Sequence, residues 1–318
     1  MAKSSLDRGK KKLGRFAVAA IAAALVTATA GTAVADQAPA PAARKAAGAV
    51  AGATQKATPQ GARKASPKAR ALSTQTIGAA PLLGMVGIDK KNEAWYYGLD
   101  GNGGLDTRES LGDFTGVKTG VAVDDDGDDL VDGSWIWDTD GYMWSSYQDG
   151  YVGHGWNIYD TLFSPGNLGG AIGSDVLGRD KSGVLWVYLG FGDGRVTGRY
   201  RVGGGWGVYT QIAGHGDLTG DGKADIVARD KDGVLWLYKG TGNYKAPFAA
   251  RTKIGKGWNT YNALVGAGDV DLDGTADLIA RDTKGDLYLY TGTGNASAPY
   301  ATKVKIGHGY HIYKTMFS

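Results

Sequence analysis

The chain contains no cysteine, which excludes disulfide staples, a thiol nucleophile and every cysteine-ligated metal site. Proline is scarce, 8 residues against 53 glycines among 318, so the glycine excess lacks the proline and the three-residue period of a collagen. Only four histidines occur, His154, His215, His308 and His311, and the last two enclose a Gly-Tyr turn instead of spacing a zinc motif along a helix. No G-x-S-x-G sequence offers a nucleophile elbow. Gly220-Asp221-Gly222-Lys223 is followed by Ala224 where a phosphate loop needs Ser or Thr, and the Gly-Thr-Gly-Asn turns at 240–243 and 292–295 lie between strand-like runs. Catalysis is therefore not expected. Apolar runs of the roughly 20 residues that span a bilayer are missing too; the longest, residues 16–30, falls short.

Charge divides unevenly. Residues 1–76 carry 13 basic and 2 acidic side chains, net +11, while residues 77–318 carry 22 and 30, net −8, which disfavours nucleic acid as a partner of the folded part. Lys3, Arg8, Lys10, Lys11, Lys12 and Arg15 precede the apolar run, and Ala33-Val34-Ala35 follows it. That order predicts a secretory signal over residues 1–35, cleaved before Asp36, and a secreted, extracellular protein with no membrane span. Residues 36–76 are Ala, Pro, Lys, Arg, Gln, Thr and Ser with no aromatic, too little apolar surface to offset the entropy of ordering. A mobile, disordered basic linker is expected there. Its cations, Arg44, Lys45, Lys56, Arg63, Lys64, Lys68 and Arg70, either touch an anionic wall or keep the linker solvated.

The remainder, residues 77–318, is a repeat. Ala224-Asp225-Ile226-Val227-Ala228-Arg229-Asp230 aligns with Ala276-Asp277-Leu278-Ile279-Ala280-Arg281-Asp282, and each leads into a second matching run, Val234-Leu235-Trp236-Leu237-Tyr238 or Asp286-Leu287-Tyr288-Leu289-Tyr290. Ser174-Asp175-Val176-Leu177-Gly178-Arg179-Asp180 is a third copy, and two diverged copies begin near 84 and 132, giving anchors at 84, 132, 175, 225 and 277. Runs of β-branched and aromatic residues cut by glycine and Asp-Gly read as short antiparallel strands. In the fifth unit they fall at about 277–282, 286–290, 302–306 and 311–317. Four strands in a period of about 50 residues predict an all-β fold, a five-bladed β-propeller around an axial channel. The alternative is an open solenoid or a sandwich of the same strands; ring closure manages the sheet edges that an open stack of hairpins would leave exposed.

Acidic loops precede the first strand of three units. Asp269, Asp271, Asp273 and Asp277 occupy loop positions 1, 3, 5 and 9, glycine stands at position 6, and Thr275 offers its carbonyl at position 7. Asp217, Thr219, Asp221, Lys223 and Asp225 fit the same template, as do Asp124, Asp126, Asp128, Leu130 and Asp132. Alternate hard oxygen ligands converging on one point suit calcium better than magnesium or zinc, and the spacing is shorter than an EF-hand. Three calcium ions are expected. The third unit, Asn167 to Asp175, keeps too few ligands, and the alternative everywhere is carboxylates that cap turns without metal.

These loops, followed by ADIVARD-type and LWLY-type strands, resemble the FG-GAP/VCBS repeats of integrin α-chain propellers and of many secreted actinobacterial proteins. The resemblance covers about residues 78–318 and implies calcium-binding loops on a propeller used for binding or adhesion. The arrangement is also similar to lectin-like propeller subunits of secreted actinobacterial (umbrella) toxin particles, which implies targeting to a competitor's surface.

A second motif recurs after the third strand. Val152-Gly153-His154-Gly155-Trp156-Asn157-Ile158-Tyr159 matches segments ending in Trp206 and Tyr209, in Trp258 and Tyr261, and in Tyr310 and Tyr313; the first unit, with Leu111-Gly112-Asp113-Phe114, departs from it. Aromatic faces beside open glycine backbone suit stacking on sugars, and one site per junction would sum weak contacts into avidity. The same rings also suit wedging of neighbouring blades, and both roles stay open. The expectation is a calcium-stabilised lectin-like propeller binding a cell-surface glycan. A protein-interaction scaffold with a protein partner in an extracellular complex is the alternative, and a glycan-active hydrolase built across blades has no candidate residues.

Overall fold

Twenty short strands assemble into five four-stranded antiparallel sheets, arranged as the five blades of a propeller. The structure, a computed structural model, describes residues 41–57, 80–147 and 150–318. The expected signal, residues 1–35, and residues 36–40 and 58–76 of the expected linker lie outside the described residues.

Blade 1 contains β1 (Met85–Asp89), β2 (Glu93–Tyr97) and β3 (Glu109–Asp113). Blade 2 is β4 (Val117–Val123), β5 (Gly133–Asp138), β6 (Tyr142–Ser145) and β7 (Tyr151–His154). Blade 3 is β8 (Tyr159–Gly166), β9 (Asp175–Asp180), β10 (Leu185–Tyr188) and β11 (Tyr200–Gly203). Blade 4 is β12 (Tyr209–Ala213), β13 (Ile226–Asp230), β14 (Leu235–Tyr238) and β15 (Thr252–Gly255). Blade 5 is β16 (Tyr261–Gly266), β17 (Leu278–Asp282), β18 (Leu287–Tyr290) and β19 (Val304–Gly307). The last strand, β20 (Tyr313–Phe317), returns to blade 1 and pairs with β1, Val86 opposite Phe317 and Gly87 opposite Met316.

Blade and sequence unit are thus offset by one strand. Each unit contributes three strands to its own blade and the first strand of the next. Those first strands, β4, β8, β12, β16 and β20, lie against one another in turn, and β20 against β4, so they form the inner ring. They enclose a cavity of about 170 Å³ lined by Thr119, Thr161, Ile212, Leu264 and Met316 among others. His215 also lines it, and complete burial of the imidazole pushes its pKa down to about 3.

The core is divided among the junctions. One apolar cluster, with Trp135, Trp137, Met143, Trp156 and Tyr159, joins blades 2 and 3; another, with Leu185, Val187, Trp206 and Tyr209, joins blades 3 and 4. Equivalent clusters around Trp258 and around Tyr310 join the remaining neighbours.

The junction between blades 1 and 2 is different. Pro41–Ala57 forms a helix, α1, where composition predicts a mobile tether. Ala43, Ala46, Ala47, Val50, Ala51 and Thr54 recur at helical spacing and are all buried. They pack on Tyr96, Phe114, Val117, Ile136 and Trp144. Ser134 Oγ donates to the Ala47 carbonyl at 2.6 Å, and Gln55 Nε2 donates to the carbonyls of Val131 and Asp132, each at 3.3 Å. The linker reading fails for these residues because it counts large apolar side chains. Alanine is the best helix former, small residues permit close approach, and the propeller supplies the bulk.

Candidate metal loops and junction pockets

In the loop before β17, the carboxylates of Asp269, Asp271 and Asp273 converge, with oxygens within 4.8 Å of one another; Asp124, Asp126 and Asp128 converge likewise before β5. The chain achieves this by placing two consecutive alternate residues, positions 4 and 6, in left-handed conformation: Gly127 and Asp129, Gly220 and Gly222, Leu272 and Gly274, all with φ between 68° and 88°. Leu272 is the exception among glycines and one aspartate, and a γ-branched residue there costs about 1–2 kcal/mol. Burial, more than neighbouring carboxylates, pushes Asp124 and Asp269 up to about 7. Asp271 Oδ1 is buried without a hydrogen-bond partner. A hard dication fits that donor set, because it would satisfy the orphaned oxygen and offset the crowded charge.

The acid at position 9 also serves the backbone. Asp277 Oδ2 accepts from Val270 N at 2.8 Å and Oδ1 from Gly292 N at 2.7 Å. Asp225 makes the same two contacts, to Leu218 N at 3.1 Å and Gly240 N at 2.7 Å. Asp175 repeats them with Leu168 N and Gly190 N at 2.8 and 3.0 Å, although its loop has lost the other carboxylates. Asp132 accepts from Asp125 N and Asp126 N. Position 9 is therefore a backbone clamp in all four units. In the loop of the fourth unit, Asp217 accepts three backbone N–H groups, from Thr219, Gly220 and Gly222. Asp221 meets Lys239 at 3.2 Å and Lys223 at 3.8 Å.

The repeated aromatics are packed inside. Trp156, Trp206, Trp258 and Tyr310 each open a 3₁₀ turn behind a left-handed glycine, and none is more than 8% exposed. Trp156 lies 4.5 Å from Tyr188, Trp206 4.5 Å from Tyr238 and Trp258 4.6 Å from Tyr290, centroid to centroid. Their partners Tyr159, Tyr209, Tyr261 and Tyr313 are buried, and their hydroxyls lie 2.5–2.6 Å from those of Tyr188, Tyr238, Tyr290 and Tyr97. Of the two roles left open, these geometries suit the wedge. Arg179, Arg229 and Arg281 reinforce it: Arg281 Nη1 donates to the carbonyls of Tyr310 and Tyr313 at 2.9 and 2.8 Å, tying the turn that enters the next blade.

What remains accessible is the glycine wall and the edges of those rings. A cavity of about 410 Å³ lies between blades 3 and 4, lined by Gly203, Gly204, Gly205, Trp206, Tyr238 and Phe248 among others. Its equivalent between blades 4 and 5, about 350 Å³, is lined by Gly255, Gly257, Trp258, Tyr290, Tyr300 and Lys303 among others.

A set of cations that the sequence reading passed over recurs beside these junctions. Arg108 lies 4.0 Å over the Trp95 ring, Arg199 4.2 Å over Trp186, Arg251 4.0 Å over Trp236 and Lys303 4.2 Å over Tyr288. Each also donates to a wedge tyrosine hydroxyl: Arg108 to Tyr313 at 3.0 Å, Arg199 to Tyr159 at 3.4 Å, Lys303 to Tyr261 at 2.7 Å, and Arg251 to Tyr209. The available signal was a basic residue three positions ahead of Leu111-Gly112, Val202-Gly203, Ile254-Gly255 and Ile306-Gly307, easily taken for edge-strand charge.

Among the described residues, no helix is long and apolar enough to cross a membrane. Residues 217–280 match the FG-GAP-like repeat family. No curated protein matches the chain. Among solved structures, the chain is similar to BBS1N crystallised in complex with ARL6DN and soaked with lead, 13% identical over 70% of this chain and 63% of that one, with a TM-score of 0.36. It is similar also to human WBSCR16, 14% identical over 67% of this chain and 61% of that one, with a TM-score of 0.31. The chain spans less than two thirds of either. The match at 217–280 and the ring of five blades support a repeat propeller, a scaffold for binding.

Proposed function

We propose that this protein is an exported, calcium-stabilised, lectin-like propeller that binds cell-surface carbohydrate without catalysis, as the targeting part of a secreted antibacterial assembly. The observation that carries the reading is the pair of equivalent pockets at successive junctions, each with a glycine wall and aromatic edges. Open backbone supplies hydrogen bonds, ring edges supply apolar contact, and repetition supplies avidity. Ligand contact then falls to Tyr238 and Phe248, or Tyr290 and Tyr300, more than to the buried Trp206 and Trp258. Calcium would hold Asp124, Asp126 and Asp128, and Asp269, Asp271 and Asp273. The Asp217, Thr219 and Asp221 loop would bind it more weakly, in competition with the ammonium groups of Lys223 and Lys239.

A protein-docking scaffold is the second reading. Ile172 and Phe191, 69% and 45% exposed, favour it, because they stand on the blade whose loop has lost its carboxylates. The test is a glycan array probed with the purified protein, first with calcium and then with excess EGTA, beside a thermal melt in each condition. Binding and thermal stability are expected to fall together in EGTA. A calcium-dependent melt without glycan binding keeps the metal and sinks the lectin.

A further inference from the structure

Arg108, Arg199, Arg251 and Lys303 share an environment that ordinary surface charge does not need. All four are exposed, and each is stacked on an aromatic ring and hydrogen-bonded to a buried tyrosine hydroxyl. Among the described residues, none has a carboxylate within ion-pairing distance; the pairs formed are Arg179 with Asp160, Arg195 with Asp193, Lys223 and Lys239 with Asp221, and Lys305 with Asp286. Charges that only guard a sheet edge are Arg201, Lys253 and Lys305, which sit on the outer strands themselves. The stacked cations differ because stacking and the tyrosine bond fix them in place, so little side-chain entropy remains to be lost when an anion arrives. A guanidinium held this way keeps donors free for a carboxylate or phosphate. Lys303 lines the pocket between blades 4 and 5, and Arg251 lies two residues beyond Ala249, which lines the pocket between blades 3 and 4.

We infer that the junction sites take an anionic saccharide, a sugar bearing carboxylate or phosphate, with one pinned cation per site at four of the five junctions. This rests on the lectin reading and narrows it. At the fifth junction no such cation occurs among the described residues, and α1 packs there. The net charge of the propeller residues is negative, so the ligand is selected by local geometry and not by the field of the whole surface.

The test measures binding of the full chain to polygalacturonate and to its fully methyl-esterified form, which share a backbone and differ in charge. Polygalacturonate is expected to bind at least about tenfold more tightly, with the advantage shrinking as salt rises. The triple variant Arg199→Gln, Arg251→Gln, Lys303→Gln is expected to lose most of that advantage while keeping its melting temperature; Arg195→Gln, off the row and paired with Asp193, should lose none. Equal binding of ester and acid overturns the anionic class and leaves the lectin standing. Undiminished polygalacturonate binding by the triple variant overturns the assignment to these cations. Equally tight binding of poly-glutamate through the same residues overturns the saccharide in favour of an acidic protein. Binding to neither polymer nor to any arrayed glycan removes the lectin reading and this inference together.

Discussion

The wedge residues set the stability of the ring one junction at a time. Trp206 is 6% exposed and packs between the turn after β11 and Tyr238, so Trp206→Ala should cost about 3–5 kcal/mol in urea unfolding. An unchanged midpoint would mean that the ring does no wedging. It follows that alanine variants at Trp156, Trp206 or Trp258 are poor probes of sugar contact, because a damaged junction would abolish binding indirectly. Tyr96 gives a pH prediction. Burial against α1 and the blade 1 sheet pushes its pKa from 10.0 up to about 12. The unfolded chain ionises first, so the contribution is whole below pH 10 and is lost between about pH 10 and 12, to a depth of about 2–3 kcal/mol. Alkaline unfolding of Tyr96→Phe, followed by fluorescence, should show a shallower decline than the parent over that interval; superimposable curves would remove Tyr96 as a cause.

Among the elements, α1 is the one whose removal separates seat from ring. A carboxylate in place of Ala47, which is fully buried in an apolar cluster, would lose its hydration, so Ala47→Glu should unseat the helix and lower the melting temperature while the far-UV signature of the strands persists. A helix that stays seated would show the groove to be more tolerant than its packing implies. The strands were legible in the sequence because Asp-Gly and Gly-rich punctuation recurs with a fixed order of apolar runs. The fifth unit was expected at 286–290 and 311–317 and is found at Leu287–Tyr290 and Tyr313–Phe317. The one-strand offset was not legible, because a spacing specifies strands and not their partners. The helix was hidden for a related reason: its apolar stripe is alanine, and its large partners lie in strands 40 to 100 residues away. At positions 1, 3 and 5 the spacing of the acids shows in the sequence that their carboxylates can meet, and Asp269, Asp271 and Asp273 do converge. Asp175 keeps the position 9 clamp without a cluster, so an acid there marks a backbone role as well, which a ligand template cannot distinguish.

For the molecule as a whole, the decisive contact is the pairing of β20 with β1, which converts a row of five units into a ring. In an open row each unit touches only its neighbours and the ends fray, whereas closure gives every blade two partners. The closing strand also carries its own wedge: Tyr313 Oη lies 2.6 Å from Tyr97 Oη, and the Tyr313 ring lies over Gly87, where a Cβ would come within 2.7 Å of it. Removing residues 313–318 deletes that strand, uncovers the hydrogen-bonding edge of β1 and opens the wall of the axial cavity that Met316 and Phe317 complete. The truncated chain should therefore lose the single steep thermal transition of the intact ring, melt lower and more broadly, and associate through the bare edge of β1 in a concentration-dependent way. Sedimentation velocity beside calorimetry would report both effects. A truncated chain that melts as sharply, at the same temperature and as a monomer, would mean that the blades hold each other without closure and that the junctions, not the ring, carry the cooperativity.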